Sequence, residues 1–303
     1  MSNTPIALLT DLRYAGPAAP GDWYHENILR DDGLLHDALR RLGLNSERVA
    51  WDDPSVDWSS FQALVFRTTW NYYECFEAFL AWFNQVRTRV RLINNPAALA
   101  WNMHKRYLSE LQQKGIAVVP TVMLERGSEP DWHRLLEQNN WPQGVVKPAV
   151  SGGARLTYRL SHDNAAEISR LVRPHLIHED FLLQPFMADI QRTGEDTLMI
   201  RGGTYTHADR QIAQKDDFRV QDDYGGTVEP LDPSDEQVDL ALRAMQASGF
   251  DLVYGRVDMV AGEQGEPLVM ELEIIEPELW LRFHPPAAEL FAQAIAREVE
   301  RGM

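Results

Sequence analysis

Apolar spacing over residues 1–94 alternates between two periods. Ile6-Ala7-Leu8-Leu9-Thr10 is a short continuous apolar run, the pattern of a strand buried on both faces. Ile28, Leu29, Leu34, Leu35, Ala38, Leu39 and Leu42 then recur as one stripe of a helix, and Gly43 follows where a helix C-terminus accepts a left-handed residue. Ala63–Phe66 repeats the buried run, Phe76–Val86 the helical stripe, and Arg91–Asn94 the run again. Strand, helix, strand, helix, strand in that rhythm predicts a small parallel α/β unit. Its strand ends, at Thr10-Asp11 and Arg67-Thr68-Thr69, lie where such sheets present ligand contacts.

Beyond this the pattern changes. Asn95-Pro96 predicts an N-cap and first turn, and Gly115 the end of that helix. Strand-like segments of antiparallel style follow at Val118–Leu124, Gly144–Val150, Arg155–Leu160 and Phe181–Phe186, with helices near Asp131–Asn139 and Asn164–His175. The remainder predicts strands at Thr197–Arg201 and Thr204–Ile212 and a helix over Pro233–Ser248. Two long strands (Asp251–Ala261 and Pro267–Ile275) and a closing helix over Pro286–Arg301 complete it. There is no internal repeat and no low-complexity segment.

Composition narrows the function. A chain of 303 residues exceeds the span of one core, so two or three packed units are expected. Lys+Arg 29 against Asp+Glu 45 leaves a net charge of −16, which argues against a nucleic-acid partner. A single cysteine, Cys75, excludes an internal disulfide framework and fits a reducing cytoplasm; it reads as a packing residue on a helix. No run reaches 18 apolar residues and the N-terminus lacks a basic-then-apolar leader, so a cytoplasmic protein without a membrane partner is expected.

The strongest chemistry lies in Tyr254–Val260 and Val269–Ile275, where apolar and charged residues alternate on each strand. If the hairpin is symmetric about Gln264-Gly265, Asp258 faces Glu271 and Arg256 faces Glu273; a slip of one residue would send the two sets to opposite faces. Like charges placed opposite one another are destabilising. A Mg²⁺ among the oxygens of Asp258, Glu271 and Glu273 would compensate, and so would a solvated outer face with Arg256 offsetting Glu273. Lys147, on the strand Gly144–Ala149, precedes the glycine loop Ser151-Gly152-Gly153, whose backbone N–H groups can approach phosphate oxygens. Lys105, on the helix after Asn95-Pro96, adds a second positive charge; the loop does not have Walker A spacing.

Taken in order, Lys105, Val146-Lys147-Pro148 with its glycine loop, Gln184-Pro185-Phe186-Met187, Gly194-Glu195, Arg256-Val257-Asp258 and Glu271-Leu272-Glu273 resemble the ATP-grasp superfamily, in particular its glutathione-synthetase-like and RimK-type ligases. Arg67–Tyr72, Asp217–Gln221 through Gly226, and Glu271–Pro277 are similar to its cycloserine-forming cyclo-ligase branch. The resemblance implies an α/β N-terminal domain (residues 1–94), then α+β ATP-grasp domains with ATP between two sheets. These are a central lid subdomain (95–188) and a C-terminal subdomain with the metal site (189–303).

By that resemblance Lys105 and Lys147 contact ATP phosphates beneath the 151–153 loop, Gln184, Pro185, Phe186 and Met187 form the hinge edge against adenine, and Glu195 contacts the ribose. Asp258, Glu271 and Glu273 hold Mg²⁺, and Arg256, with Lys147, serves catalysis. Two departures stand out. Glu273 occupies a position where the family commonly has Asn, and it is open whether Arg210 or Lys215 supplies the basic residue of the 207–219 segment.

The implied activity is amide formation through an acyl phosphate on a small amino-acid-like molecule, by ring closure, with intermolecular ligation and a non-catalytic nucleotide-binding module as the alternatives. Arg67 is a candidate carboxylate clamp, with Thr68 and Asn71 as hydrogen-bonding neighbours and Arg219 as a further substrate candidate. His207 reads either as a substrate contact or as a strand histidine satisfied by its surroundings. Trp70 and Tyr72 read as contacts or as packing, and Trp280, Arg282 and His284 as the substrate end or as a surface turn. The oligomeric state, a homodimer included, is left open.

Overall fold

The computed structural model describes residues 4–214 and 225–301, arranged about three sheets. The first is parallel, in the order β2 (Ser46–Ala50), β1 (Ile6–Thr10), β3 (Ala63–Thr68), β4 (Arg91–Ile93). β1 and β3 are buried throughout, as their continuous apolar runs require. Strand β2 has no such run because it is an edge strand; Ser46-Glu47-Arg48-Val49-Ala50 is half exposed, so the hydrophobic pattern passes over it. Helix α1 (Trp23–Arg41), capped by Asp22, packs its buried stripe on this sheet, and α2 (Phe76–Val86) packs as expected.

The single helix expected from Asn95 is two, α3 (Pro96–Asn102) and α4 (Tyr107–Gln113). The break at residues 103–106 contains neither Gly nor Pro and is imposed by tertiary bonds. The Asn102 side chain donates to Leu272 O at 2.7 Å and accepts from Ile274 N at 3.1 Å, and Lys105 N–H donates to Ala149 O at 2.8 Å. Lys105 therefore sits in a turn, where its side chain is aimed by the fold.

The second sheet is antiparallel, ordered β5 (Val122–Leu124), β8 (Phe181–Pro185), β6 (Gln143–Pro148), β7 (Tyr158–Ser161). One face carries Val146, Leu160, Phe181 and Leu183 against α5 (Trp132–Asn139) and α6 (Ala165–Leu176). Alternation turns Val145, Lys147 and Gln184 to the other face.

After the short α7 (Ile190–Thr193), the third sheet runs β11 (Thr227–Leu231), β10 (Thr204–Ile212), β9 (Glu195–Arg201), β12 (Tyr254–Ala261), β13 (Pro267–Glu273), all antiparallel. Leu198, Ile200, Val257 and Leu272 pack beneath α8 (Asp235–Ala247), whose start is fixed by a Ser234–Gln237 capping box. The opposite face is polar: cross-strand pairing places Thr197, Arg201, His207, Asp209, Arg256, Asp258, Glu271 and Glu273 on one side. Helix α9 (Pro286–Glu300) closes the chain against α1 and β9. No helix of the described residues is long and apolar enough to cross a membrane.

The hairpin register has an unexpected origin. Near the turn the pairs Ala261–Pro267, Val260–Leu268 and Met259–Val269 centre on Gln264 alone, one residue from the expected symmetry. A bulge at Met270 restores the count, so Asp258 faces Glu271 and Arg256 faces Glu273. Segment 215–224, with Lys215, Arg219 and the likeness read in Asp217–Gln221, lies outside the described residues.

Candidate active site

The polar faces of the second and third sheets enclose a cavity of about 440 Å³. Lys147 and Gln184 line it from one sheet, and Glu195, Arg256, Asp258, Glu271 and Glu273 from the other. The glycine loop 151–153 and Pro185–Met187 complete that end, while Tyr14, Tyr24, Trp70 and Tyr73 wall it from the N-terminal unit.

Charge organises the floor. Arg256 forks onto Asp258, Nε to Oδ1 at 2.7 Å and Nη2 to Oδ2 at 2.9 Å, and Nη2 also donates to Glu273 Oε1 at 2.7 Å. Nη1 donates to Glu278 O at 3.1 Å, and the guanidinium lies 5.2 Å from the centre of the Trp280 ring. Lys105 Nζ bridges Glu271 Oε1 at 2.5 Å and Ser151 O at 2.6 Å, tying the β13 carboxylate to the glycine loop. Burial lifts Asp258 above the usual carboxylate range and Glu273 well above it, against the pull of Arg256. Burial, reinforced by Asp258, pushes Glu195 up to about 8; burial pushes Glu276 up to about 8 against Lys105. Burial also acts to raise Glu271, but Lys105 and Lys147 overcome it and hold that carboxyl low. Lys147 is itself pushed down by burial.

These residues fit a divalent cation. Among the described residues seven carboxylates (Glu74, Glu195, Asp258, Glu271, Glu273, Glu276, Glu278) and four cationic side chains (Arg13, Lys105, Lys147, Arg256) line the cavity. A surplus of carboxylate oxygen donors over cationic side chains in one cavity is the environment a hard cation takes.

The glycine loop is closed against the N-terminal unit. A Cβ at Gly152 would stand 2.6 Å from Tyr73 Cε1, and Gly153 has φ +52°. Gly152→Ala therefore forces the loop or Tyr73 aside, at a cost of about 1–3 kcal/mol. For a loop that closes over a nucleotide, as the resemblance implies, the expected result is a rise of about tenfold in the nucleotide KM, relieved in the Gly152→Ala, Tyr73→Ala double variant; steady-state turnover checks both.

Several residues read as substrate candidates are not brought to the cavity. The Arg67 side chain turns inward from the doubly buried β3 and donates Nε to Asp32 at 3.0 Å. Thr68 donates to Thr10 Oγ1 at 2.7 Å, and Asn71 joins Trp51 to Asp52, both within the N-terminal unit. His207 bonds Leu279 O at 3.0 Å and Thr206 Oγ1 at 3.0 Å, the satisfied-histidine alternative. The cavity is reached instead by Trp70, three residues past Arg67, whose indole donates to Glu276 O at 2.9 Å. Tyr14, Tyr24, Glu276 and Glu278 also line it. For Tyr14 the only available signal was its place just past the Thr10-Asp11 strand end; Glu276 and Glu278 lie in an irregular segment with no period to read.

His207 makes a pH prediction. Burial, then the Arg201 and His284 charges, push its pKa down to about 2. The unfolded chain takes up this proton below about pH 6.5 while the folded one does not, so stability falls as pH drops through that value. Asp209, raised to about 6 chiefly by burial, works in the opposite direction. Urea unfolding should show His207→Gln losing about 2 kcal/mol less than wild type between about pH 6.5 and about pH 4.5.

Residues 105–277 match the RimK-like ATP-grasp domain, and residues 6–94 match the D-cycloserine synthetase DcsG N-terminal domain. The chain belongs to the RimK-like ATP-grasp family and is an ATP-dependent ligase of that type. It is 34% identical over 279 residues to the cycloserine biosynthesis protein DcsG of Streptomyces lavendulae, covering 88% of this chain and 93% of that protein. The crystal structure of D-cycloserine synthetase DcsG superposes with a TM-score of 0.85 at 32% identity, over 97% of this chain and 99% of that one. D-alanine–D-alanine ligase from Bacillus anthracis complexed with ATP shares the fold, with a TM-score of 0.65 at 14% identity over 98% of each chain.

Proposed function

We propose that this ligase joins a carboxylate to an amine through an acyl phosphate, and that both groups belong to one small amino-acid-like molecule, so that the reaction closes a ring. The observation that carries the reading is the convergence of Arg256, Asp258, Glu271 and Glu273 on one sheet face, with Lys105 and Lys147 lining the same cavity.

A carboxylate does not condense with an amine at neutral pH because its oxygen is a poor leaving group. One carboxylate oxygen attacks the γ-phosphorus of ATP and ADP departs. The amine nitrogen then attacks the acyl carbon, the C–O bond to phosphate breaks, and phosphate leaves with loss of one N–H proton. Asp258, Glu271 and Glu273 would hold a Mg²⁺, which when bound would neutralise charge on the phosphates. Lys147 and Lys105 position the phosphates, and Lys105 keeps the 151–153 loop closed through Ser151 O, which excludes water from the acyl phosphate. Pro185–Met187 and Gln184 hold the adenine, and Glu195 the ribose. Arg256, oriented by Asp258 and Glu273, stabilises the oxyanion formed at the acyl carbon.

Similarity over most of the chain to a cycloserine biosynthesis protein supports ring closure. Product mass tests it: with Mg-ATP and a pool of amino-acid derivatives, one organic substrate should appear as its own mass less water. A product containing two substrates would establish intermolecular ligation instead, and ATP binding without ADP release across the pool would establish a non-catalytic module.

A further inference from the structure

The polar face that carries Arg256 continues along β9 to Arg201, which is 3% exposed. Its Nη1 donates to Thr206 Oγ1 at 2.6 Å, while Nε and Nη2 have no hydrogen-bond partner. Arg67 approaches from β3 of the N-terminal sheet, 2% exposed, and its Nη1 also has no partner. Both guanidinium carbons lie over the Phe291 ring, 5.9 Å from its centre for Arg67 and 5.4 Å for Arg201. Trp280 belongs to the core cluster of Phe291, and its indole N–H is likewise unpartnered.

The guanidiniums around this point are not equally paired. Asp32 is shared by Arg48 at 2.8 Å and Arg67 at 3.0 Å, and Arg282 takes Asp31 at 3.0 Å and Glu278 at 2.8 Å. Each of Arg48, Arg67 and Arg282 thus has a carboxylate partner, whereas Arg201 forms no ion pair with a described residue. Burial and then Arg67 hold the Arg201 pKa down to about 9, which still leaves it cationic at neutral pH. Water can satisfy orphan N–H groups but not a buried charge. His207, Asp209 and His284 stand close enough together to suggest a metal site, but Arg201 and Arg282 act on them from nearby and oppose a second cation there.

We propose that Arg67 and Arg201 bind a monovalent anion, a halide or a carboxylate, beside Phe291 between the N-terminal and third sheets. The one guanidinium without an ion pair, Arg201, calls for a single negative charge, and planar N–H forks suit both a spherical halide and a carboxylate. Thermal unfolding of the full chain, with bromide or acetate titrated into a methanesulfonate background of constant ionic strength, tests this without using activity. Wild type should gain about 2–4 °C with the anion that binds, and Arg201→Met should not. A bromide-soaked crystal should show anomalous density between the two guanidiniums if the site takes halide. A gain with acetate alone assigns it to carboxylates. Arg67→Met provides a second comparison, and the wild-type crystal needs no variant. Equal responses of wild type and both variants to both anions, with no bromide at the site, would overturn the proposal.

Discussion

Arg256→Met is expected to lower kcat for ADP and product formation by about 10²–10³-fold, with a much smaller change in KM for ATP. The guanidinium is 7% exposed, forked onto Asp258 and bonded to Glu273, so it is held in one orientation before substrate arrives. Methionine keeps the packing against Trp280 but removes all five donors. Asp258 and Glu273 then lose their shared cation. Burial already holds both above the usual carboxylate range, and loss of the guanidinium raises them further. Arg256→Lys is expected to restore little, because an ammonium cannot reach both carboxylates and the reacting oxyanion with one planar fork. Rapid-quench measurement of ADP, beside a melting curve, separates the catalytic loss from unfolding.

Glu271→Gln is expected to reduce ADP formation by about 10²–10³-fold and to raise the Mg²⁺ requirement by about 10–100-fold, leaving the fold intact. The amide fills the same space and can still accept from Lys105, so circular dichroism and melting should change little. What is lost is the carboxylate whose pKa Lys105 and Lys147 hold low in a cavity where burial raises its neighbours. Asp258→Asn should behave alike. Wild-type rates at wild-type Mg²⁺ in either variant would contradict the metal assignment.

The elements read from sequence are those whose pattern is local. Phe76–Val86 and Thr204–Ile212 end where their periodicity ends, and β1 and β3 are visible because they are buried on both faces. Edge strand β2 and the break after Asn102 are not visible, since one depends on having a single neighbour and the other on side-chain bonds to β13. The acidic pairing was legible through a compensation: the turn is one residue off and the Met270 bulge puts it back. The site residues carried by alternation on strands (Lys147, Gln184, Arg256, Asp258, Glu271, Glu273) do share one cavity. Those placed by proximity to a strand end do not, because Arg67 still belongs to β3 and turns inward, whereas Trp70 has left it.

The acyl phosphate is the step on which the roles of Arg256, Lys147 and the carboxylates depend, and oxygen transfer reads it directly. A substrate labelled with ¹⁸O in both carboxylate oxygens, turned over with unlabelled Mg-ATP, should release phosphate carrying one ¹⁸O per product formed. Phosphate without label, beside product that retains both labelled oxygens or releases one to water, would contradict the account.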